Sequence, residues 1–236
     1  MPMIEVEKLT VRYGGVVALD GVTLRLADSV IGLIGPNGAG KTTLTNALSG
    51  FVPVASGSIS VNGLALLELA PHQRARWGLA RSFQKVQIVP DLTVEQHLAV
   101  VLDGKRVTHT SRAREITRVL EFVGLEAVRH RLGRRLNPYE CRMTEIAKCL
   151  VGAPRILLLD EPGGGLSEGE MIHLRKIITG IHNEFGAQIL LIDHDVELIR
   201  DVCTSSAVLD FGRLIAFGAT AEILEDEVVK AAYLGR

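Results

Sequence analysis

Aromatic residues are scarce in this chain. They make up 4% of its 236 residues, and Trp77 is its single tryptophan. A binder of single-stranded nucleic acid needs stacking platforms, so that class loses support. The net charge of −1 offers no basic excess to neutralise a phosphate backbone, which argues further against nucleic acid as the partner. The three cysteines, Cys141, Cys149 and Cys203, form no CxxC pair and no even disulfide framework. Such usage fits a reducing compartment. No apolar run reaches about 18 residues, so no membrane-spanning helix is expected. The stretch Met1–Glu7 lacks the basic-then-apolar pattern of a secretory leader. On these grounds a cytoplasmic location is expected, and the composition, 47% hydrophobic and 22% charged, is that of an ordinary globular protein.

Its most informative segment is 35–43: Gly35, Pro36, Asn37, Gly38, Ala39, Gly40, Lys41, Thr42 and Thr43. The apolar run Ser29–Ile34 precedes it as a strand, and Lys41–Leu48 follows as a helix. A triphosphate needs a concave ring of backbone N–H groups. Gly35, Gly38 and Gly40 permit that close approach. The helix N-terminus points further amides at the anion. Lys41 reaches the β- and γ-phosphates, and the Thr42 hydroxyl is placed to ligate Mg²⁺.

A second signal lies at Ile156–Pro162. Its apolar run reads as a buried parallel strand ending in Asp160 and Glu161. Asp160 is placed at the strand edge to hold Mg²⁺ through water, and Glu161 to polarise the attacking water as general base. Ile189–Asp195 repeats the pattern, with His194 at a strand end near Glu161 and in position for a γ-phosphate contact. The neighbours Asp193, His194 and Asp195 point to alternate faces, so they are not expected to converge on one ion.

Around these signals the chain alternates strands and helices. Ile4–Tyr13 and Val22–Leu26 read as antiparallel strands, and Gly57–Val61 as another. Pro71–Trp77, a helix capped by Thr93, Ser111–Val123 and Glu126–Leu132 read as helical. Arg112, Arg114 and Arg118 read as a solvated face. The α/β pattern returns with Ile156–Asp160, Glu168–Phe185, Gln188–Asp193 and Asp195–Val202, then a hairpin of Ala207–Asp210 and Arg213–Ala216. This order implies a mostly parallel sheet covered on both faces.

Taken together, these motifs resemble the ATP-binding cassette ATPases over essentially the whole chain. Tyr13 falls where that family stacks an aromatic ring on adenine. Arg81-Ser-Phe-Gln84 is similar to its glutamine loop, which senses metal, water and the membrane partner. Leu136–Lys148 aligns with its signature segment, Asp160-Glu161 with its second Walker motif, and His194 with its switch histidine. The resemblance implies one domain over 1–236: an α/β P-loop NTPase (RecA-like) core at about 1–71 and 153–236, with an antiparallel β subdomain. An α-helical subdomain is inserted at about 72–152. ATP is sandwiched between two subunits. Glu161, His194 and Gln84 are the implied catalytic residues, Tyr13 and positions 35–43 the nucleotide contacts, and Thr42, Gln84 and Asp160 the metal ligands.

Shorter matches resemble the branched-chain amino-acid uptake ATPases: Tyr13–Leu19, Arg81–Gln84, Leu190–Val196 and Ala232–Gly235. That resemblance implies an importer at the inner face of the cell membrane. Its partners are permease subunits, a second, different ATPase and a solute-binding protein. The stretch Leu102–Thr110 is shorter than is usual in that group.

The signature departs from Leu-Ser-Gly-Gly-Gln and reads Leu136-Asn137-Pro138-Tyr139-Glu140. In the family these serine and glycine N–H groups bind the γ-phosphate held by the opposite subunit. Asn137 retains a donor, but Pro138 has no N–H. Tyr139 adds a Cβ where glycine allows close approach, and Glu140 adds negative charge. The glycine-rich Gly163–Ser167 is expected to be flexible. Three rivals are weaker. A soluble regulatory or nucleic-acid-associated cassette wants paired cassettes or long insertions. A small-molecule kinase has no use for the glutamine loop or switch histidine. An inactive binding cassette has no need of Glu161 and His194.

Overall fold

The computed structural model describes residues 2–104 and 109–234. Part of the short stretch Leu102–Thr110, and Gly235 of the C-terminal match, lie outside the described residues. Two sheets are stacked. The antiparallel sheet has the order β2 (Val16–Leu26), β1 (Ile4–Tyr13), β4 (Ser56–Val61) and β5 (Leu64–Ala65). The second has the order β10 (Arg213–Ala219), β9 (Ser205–Asp210), β3 (Val30–Ile34), β8 (Gln188–Ile192), β7 (Ile156–Asp160) and β6 (Leu79–Arg81). All its pairings are parallel except β10 with β9.

The central strands β3, β7 and β8 are buried at every residue. Alternation along each strand divides their side chains between two cores. Leu158, Leu190 and Ile192 join Ile31 and Leu33 under the antiparallel sheet and helix α1 (Lys41–Ser49). Leu157, Leu159, Ile189 and Leu191 face the opposite way, into a core shared with five further helices. These are α3 (Val94–Asp103), α4 (His109–Val123), α5 (Pro138–Leu150), α6 (Glu168–Phe185) and α7 (Val196–Val202). The short α2 (Pro71–Trp77) leads into β6. Burying each such leucine stabilises the fold by roughly 1.5–3 kcal/mol.

Expected helix starts hold where side chains cap them. The Thr93 hydroxyl accepts the Gln96 N–H at 3.2 Å, and Gln96 reaches back to the Thr93 N–H at 2.8 Å. Asp195 caps α7 by accepting from Glu197 and Leu198. The expected helix Glu126–Leu132 is not one. A single 3₁₀ turn, Glu126–Val128, is followed by turns and an isolated bridge from Leu132 to Thr93. The carbonyls of Arg129 and Arg131 accept the Glu95 and Val94 amides instead, at 3.0 and 3.2 Å. Those amides open α3 and have no partner inside it, so a tertiary bond displaces the local helix. Strand β2 begins at Val16, six residues before the expected Val22, and its pairing with β1 passes through register shifts. The glycine-rich stretch after β7 is folded into turns, with the Leu166 amide on the Gly163 carbonyl at 3.2 Å. Among the described residues, no helix is long and apolar enough to cross a membrane.

Candidate functional site

Four adjacent strands, β3, β8, β7 and β6, run parallel and end on one edge of their sheet. The loops after them carry, in that order, residues 35–40, His194, Glu161 and Gln84. Ligands of open α/β sheets bind outside this edge. A cleft of about 160 Å³ lies there, lined by Asn37 to Thr43 together with Ala18, Glu161, Ile192 and His194.

The loop before α1 needs its glycines. Gly35 has φ 143°, and a Cβ there would lie 2.0 Å from the Leu209 carbonyl oxygen. Gly40, the N-cap of α1, has φ 104° and would bring a Cβ to 2.8 Å from the Ala18 oxygen. Helix α1 has no side-chain cap and no acid in its first turn. Its leading amides are thus left to an anion. Buried Lys41 donates from Nζ to the carbonyls of Gly35 at 2.6 Å and Pro36 at 2.8 Å. Burial lowers its pKa below the ordinary lysine value, and the charges of Glu161 and Asp160 oppose that shift.

Glu161 is held from two sides. Its Oε2 accepts from Gln84 Nε2 at 2.7 Å, and His194 Nε2 lies 2.7 Å from its Oε1. Its backbone has φ 49°, a left-handed conformation that a non-glycine residue rarely adopts. The Glu161 amide is fixed at 2.7 Å from the Ile192 carbonyl. Asp193 turns elsewhere, accepting the amides of Gly163 at 3.1 Å and Asp195 at 3.0 Å. Burial raises its pKa, against the pull of those backbone donors.

Asp160 is buried at the end of β7 and pairs with Arg81 at 3.1 Å. Arg81 also donates to Asn46 of α1 at 2.6 Å. Sequence reasoning placed Arg81 in the glutamine-loop match but did not see this pairing. No local signal marks it, since Arg81 and Asp160 lie 79 residues apart in the chain. Tyr13 lies at the end of β1, 47% exposed, and does not line the cleft.

Thr42, Asp160 and Gln84 offer hard oxygen donors around this edge. Among the described residues, no cluster of three or more His, Cys, Asp or Glu side chains is suited to a metal. Mg²⁺ characteristically takes one or two protein oxygens and completes its shell with water and substrate phosphate. The donor set fits that ion.

Helix α5 starts differently from α1. Asn137 Oδ1 accepts the Glu140 amide at 2.8 Å, and Glu140 Oε2 accepts the Asn137 amide at 3.0 Å. Arg131 holds the other oxygen of Glu140 at 2.6 Å. The Tyr139 hydroxyl is hydrogen-bonded to Nδ1 of His173 on α6. Burial, reinforced by Glu170, raises the pKa of that phenol, so it stays protonated. The groups expected to face a second nucleotide are thus engaged within the chain.

A phosphate-cradling loop, a lysine, a buried strand-end aspartate and a clamped glutamate define a nucleoside-triphosphatase of the P-loop class. The family model described as ABC transporter matches residues 19–164. The branched-chain amino acid transport ATP-binding protein BraF of Pseudomonas aeruginosa is 35% identical over 250 residues, covering 99% of this chain and 98% of its own. LivG of Escherichia coli, named likewise, is 34% identical over 250 residues, with 99% and 98% covered. LptB of Haemophilus influenzae, a lipopolysaccharide export ATP-binding protein, is 34% identical over 237 residues, with 100% and 98% covered. Among solved structures, the ADP conformation of MJ1267, an ATP-binding cassette of an ABC transporter, superposes with a TM-score of 0.87. It is 24% identical and both chains are covered fully. The chain belongs to the ABC transporter ATP-binding family. It binds ATP and couples ATP hydrolysis to transport, and subunits of this kind work with membrane permeases.

Proposed function

We propose that this chain powers an importer of amino acids or related small solutes at the inner face of the cell membrane, served by a solute-binding protein. Full-length similarity to BraF and LivG supports this reading. Lys41 and the amides of residues 35–43 hold the phosphates, and Tyr13 supports the base. Thr42, Asp160 and Gln84 hold Mg²⁺, which neutralises phosphate charge when bound. Glu161 takes a proton from the attacking water, Gln84 and His194 fix its carboxylate, and His194 turns to the γ-phosphate. The observation that carries these roles is the convergence of Gln84 and His194 on the two oxygens of Glu161. Glu161→Gln tests it: ATP binding is retained and turnover stops, because the amide keeps the size and loses the base. Wild-type turnover would remove Glu161 from that role.

We also propose that the second ATPase of the complex is a different protein. The first turn of α5 is filled by Glu140, so it is ill suited to complete a nucleotide site on a facing copy of this chain. A partner with an open signature completes the site on this chain's own P-loop.

The permease surface is assigned to an apolar cleft of about 380 Å³ lined by Phe51, Ala80, Phe83, Val101 and Cys149. Gln87 of the stretch Val86–Leu92 also lines it, and Val89 there is 49% exposed. A second reading, an export subunit, is favoured by one observation. The alignment with LptB spans 237 residues, near this chain's 236, whereas those with BraF and LivG span 250 and so carry gaps. Isolating the intact complex decides between them: a solute-binding protein that stimulates its ATPase supports import.

A further inference from the structure

Helix α5 turns a row of charge inward. Arg142, Glu145 and Lys148 recur every three residues and so lie along one side of the helix. Arg142 and Glu145 are buried, and the Lys148 side chain is one-fifth exposed. Charged side chains are rarely buried without partners. Here the partners belong to one short stretch. The Arg142 guanidinium reaches the carbonyl oxygens of Phe83 and Gln84, each at 3.5 Å. Glu145 Oε2 accepts the Gln87 amide at 2.9 Å. Lys148 Nζ donates to the Gln87 carbonyl at 2.7 Å and to Glu145 at 3.2 Å.

That stretch has little else to hold it. Among the described residues, positions 83–88 make no backbone-to-backbone hydrogen bond, in contrast to Ser82, whose amide is bound to the Leu158 carbonyl. Backbone groups without ladder partners must find others. The row on α5 supplies them at both ends, Phe83–Gln84 and Gln87. The stretch also carries the amide that meets Glu161 at 2.7 Å. Arg142 fits this place electrically. Burial lowers its pKa, while Glu145, Asp193 and Glu161 act to keep it charged.

We infer that the Arg142–Glu145–Lys148 row fixes the backbone of residues 83–87, and that Arg142 is a positioning residue for hydrolysis acting through Gln84. The inference rests on the proposed roles of Gln84 and Glu161. Arg142 touches neither nucleotide nor water in this scheme. It sets where the Gln84 amide stands, and a misplacement of about 1 Å near a reacting centre can cost about 100-fold in rate.

The test is single-turnover hydrolysis by this chain together with its partner ATPase, in excess over ATP, which reads chemistry at the site the partner completes. Arg142→Met is expected to lower the maximal rate about 10- to 100-fold, with the half-saturating protein concentration unchanged. Arg142→Lys restores a large part of the rate. In a Gln84→Ala background, Arg142→Met adds nothing further. An unchanged rate in Arg142→Met, or full additivity with Gln84→Ala, overturns the inference. Should Arg142→Met lose ATP binding and so its fold, Lys148→Met at the solvent end carries the test: a slower rate at unchanged half-saturation supports the row, and a wild-type rate overturns it. Amide exchange on the ATP-bound chain needs no turnover. Either variant is expected to speed exchange within 83–88 while α1 stays protected, and unchanged exchange there also overturns the inference. Wild-type turnover by Glu161→Gln marks a different failure, that of the assigned base.

Discussion

Arg81 and Asp160 form an ion pair at 3.1 Å in which the side chains are only 7% and 10% exposed. Arg81 thereby ties the end of β7 to Asn46 on α1, the helix that opens at the nucleotide loop. Removing one member of such a pair leaves a buried charge uncompensated, at a cost of about 3–5 kcal/mol. Arg81→Met is expected to destabilise the fold by that order, read as a lower denaturation midpoint in urea. A midpoint equal to wild type would show that the pair adds nothing net.

Lys41→Ala is expected to abolish tight ATP binding. The triphosphate loses its main cation, and the loop loses the bonds from Lys41 to the Gly35 and Pro36 carbonyls. Titration calorimetry checks it. Unchanged affinity would refute the phosphate assignment.

His97 makes a pH-dependent contact. Its Nε2 accepts the Val89 amide at 2.9 Å, and its Nδ1 donates to the Thr93 carbonyl at 2.7 Å. Only the neutral ring with the proton on Nδ1 satisfies both. Burial lowers the His97 pKa, and Lys148 lowers it further, against the Thr93 bond and Glu145. A folded pKa below the unfolded one means stability present above about pH 6.5, the unfolded value, and lost as pH falls. Denaturation between pH 7.5 and 5.5 is expected to show a loss that His97→Gln reduces. Equal slopes would contradict it.

Cysteines placed singly at Val86, Ile88 and Val89 are expected to cross-link to a permease subunit in the assembled transporter. Their neighbour Gln87 lines the apolar cleft, and Val89 is 49% exposed. Failure at all three positions in an active complex would count against docking there.

The parts of the site that obey local rules were legible in the sequence. The loop glycines answer to backbone geometry, and the apolar runs before Asp160 and His194 answer to strand burial. Topology added what those rules omit. It set β8 between the strand of the phosphate loop and that of Asp160. Contacts distant in sequence were not legible. Glu140 was foreseen as charge repelling a phosphate, but its role as a cap for its own helix, steadied by Arg131, needed coordinates. Segment 126–132 failed as a helix for a related reason: its carbonyls serve α3. Arg142 lay in the signature match, yet its target at Phe83 and Gln84 is 59 and 58 residues away.

The central claim is that this chain has a working ATP site but a closed signature. The most direct measurement is ATPase rate per chain against concentration, alone and with the partner ATPase. The account predicts slow turnover by the isolated chain at every concentration and brisk turnover in the mixture. It also predicts that Glu161→Gln in this chain alone silences the mixture. Brisk, concentration-dependent turnover by the isolated chain, or a normal rate in a mixture carrying only that substitution, would contradict it. Either result would show hydrolysis proceeding opposite Tyr139 and Glu140.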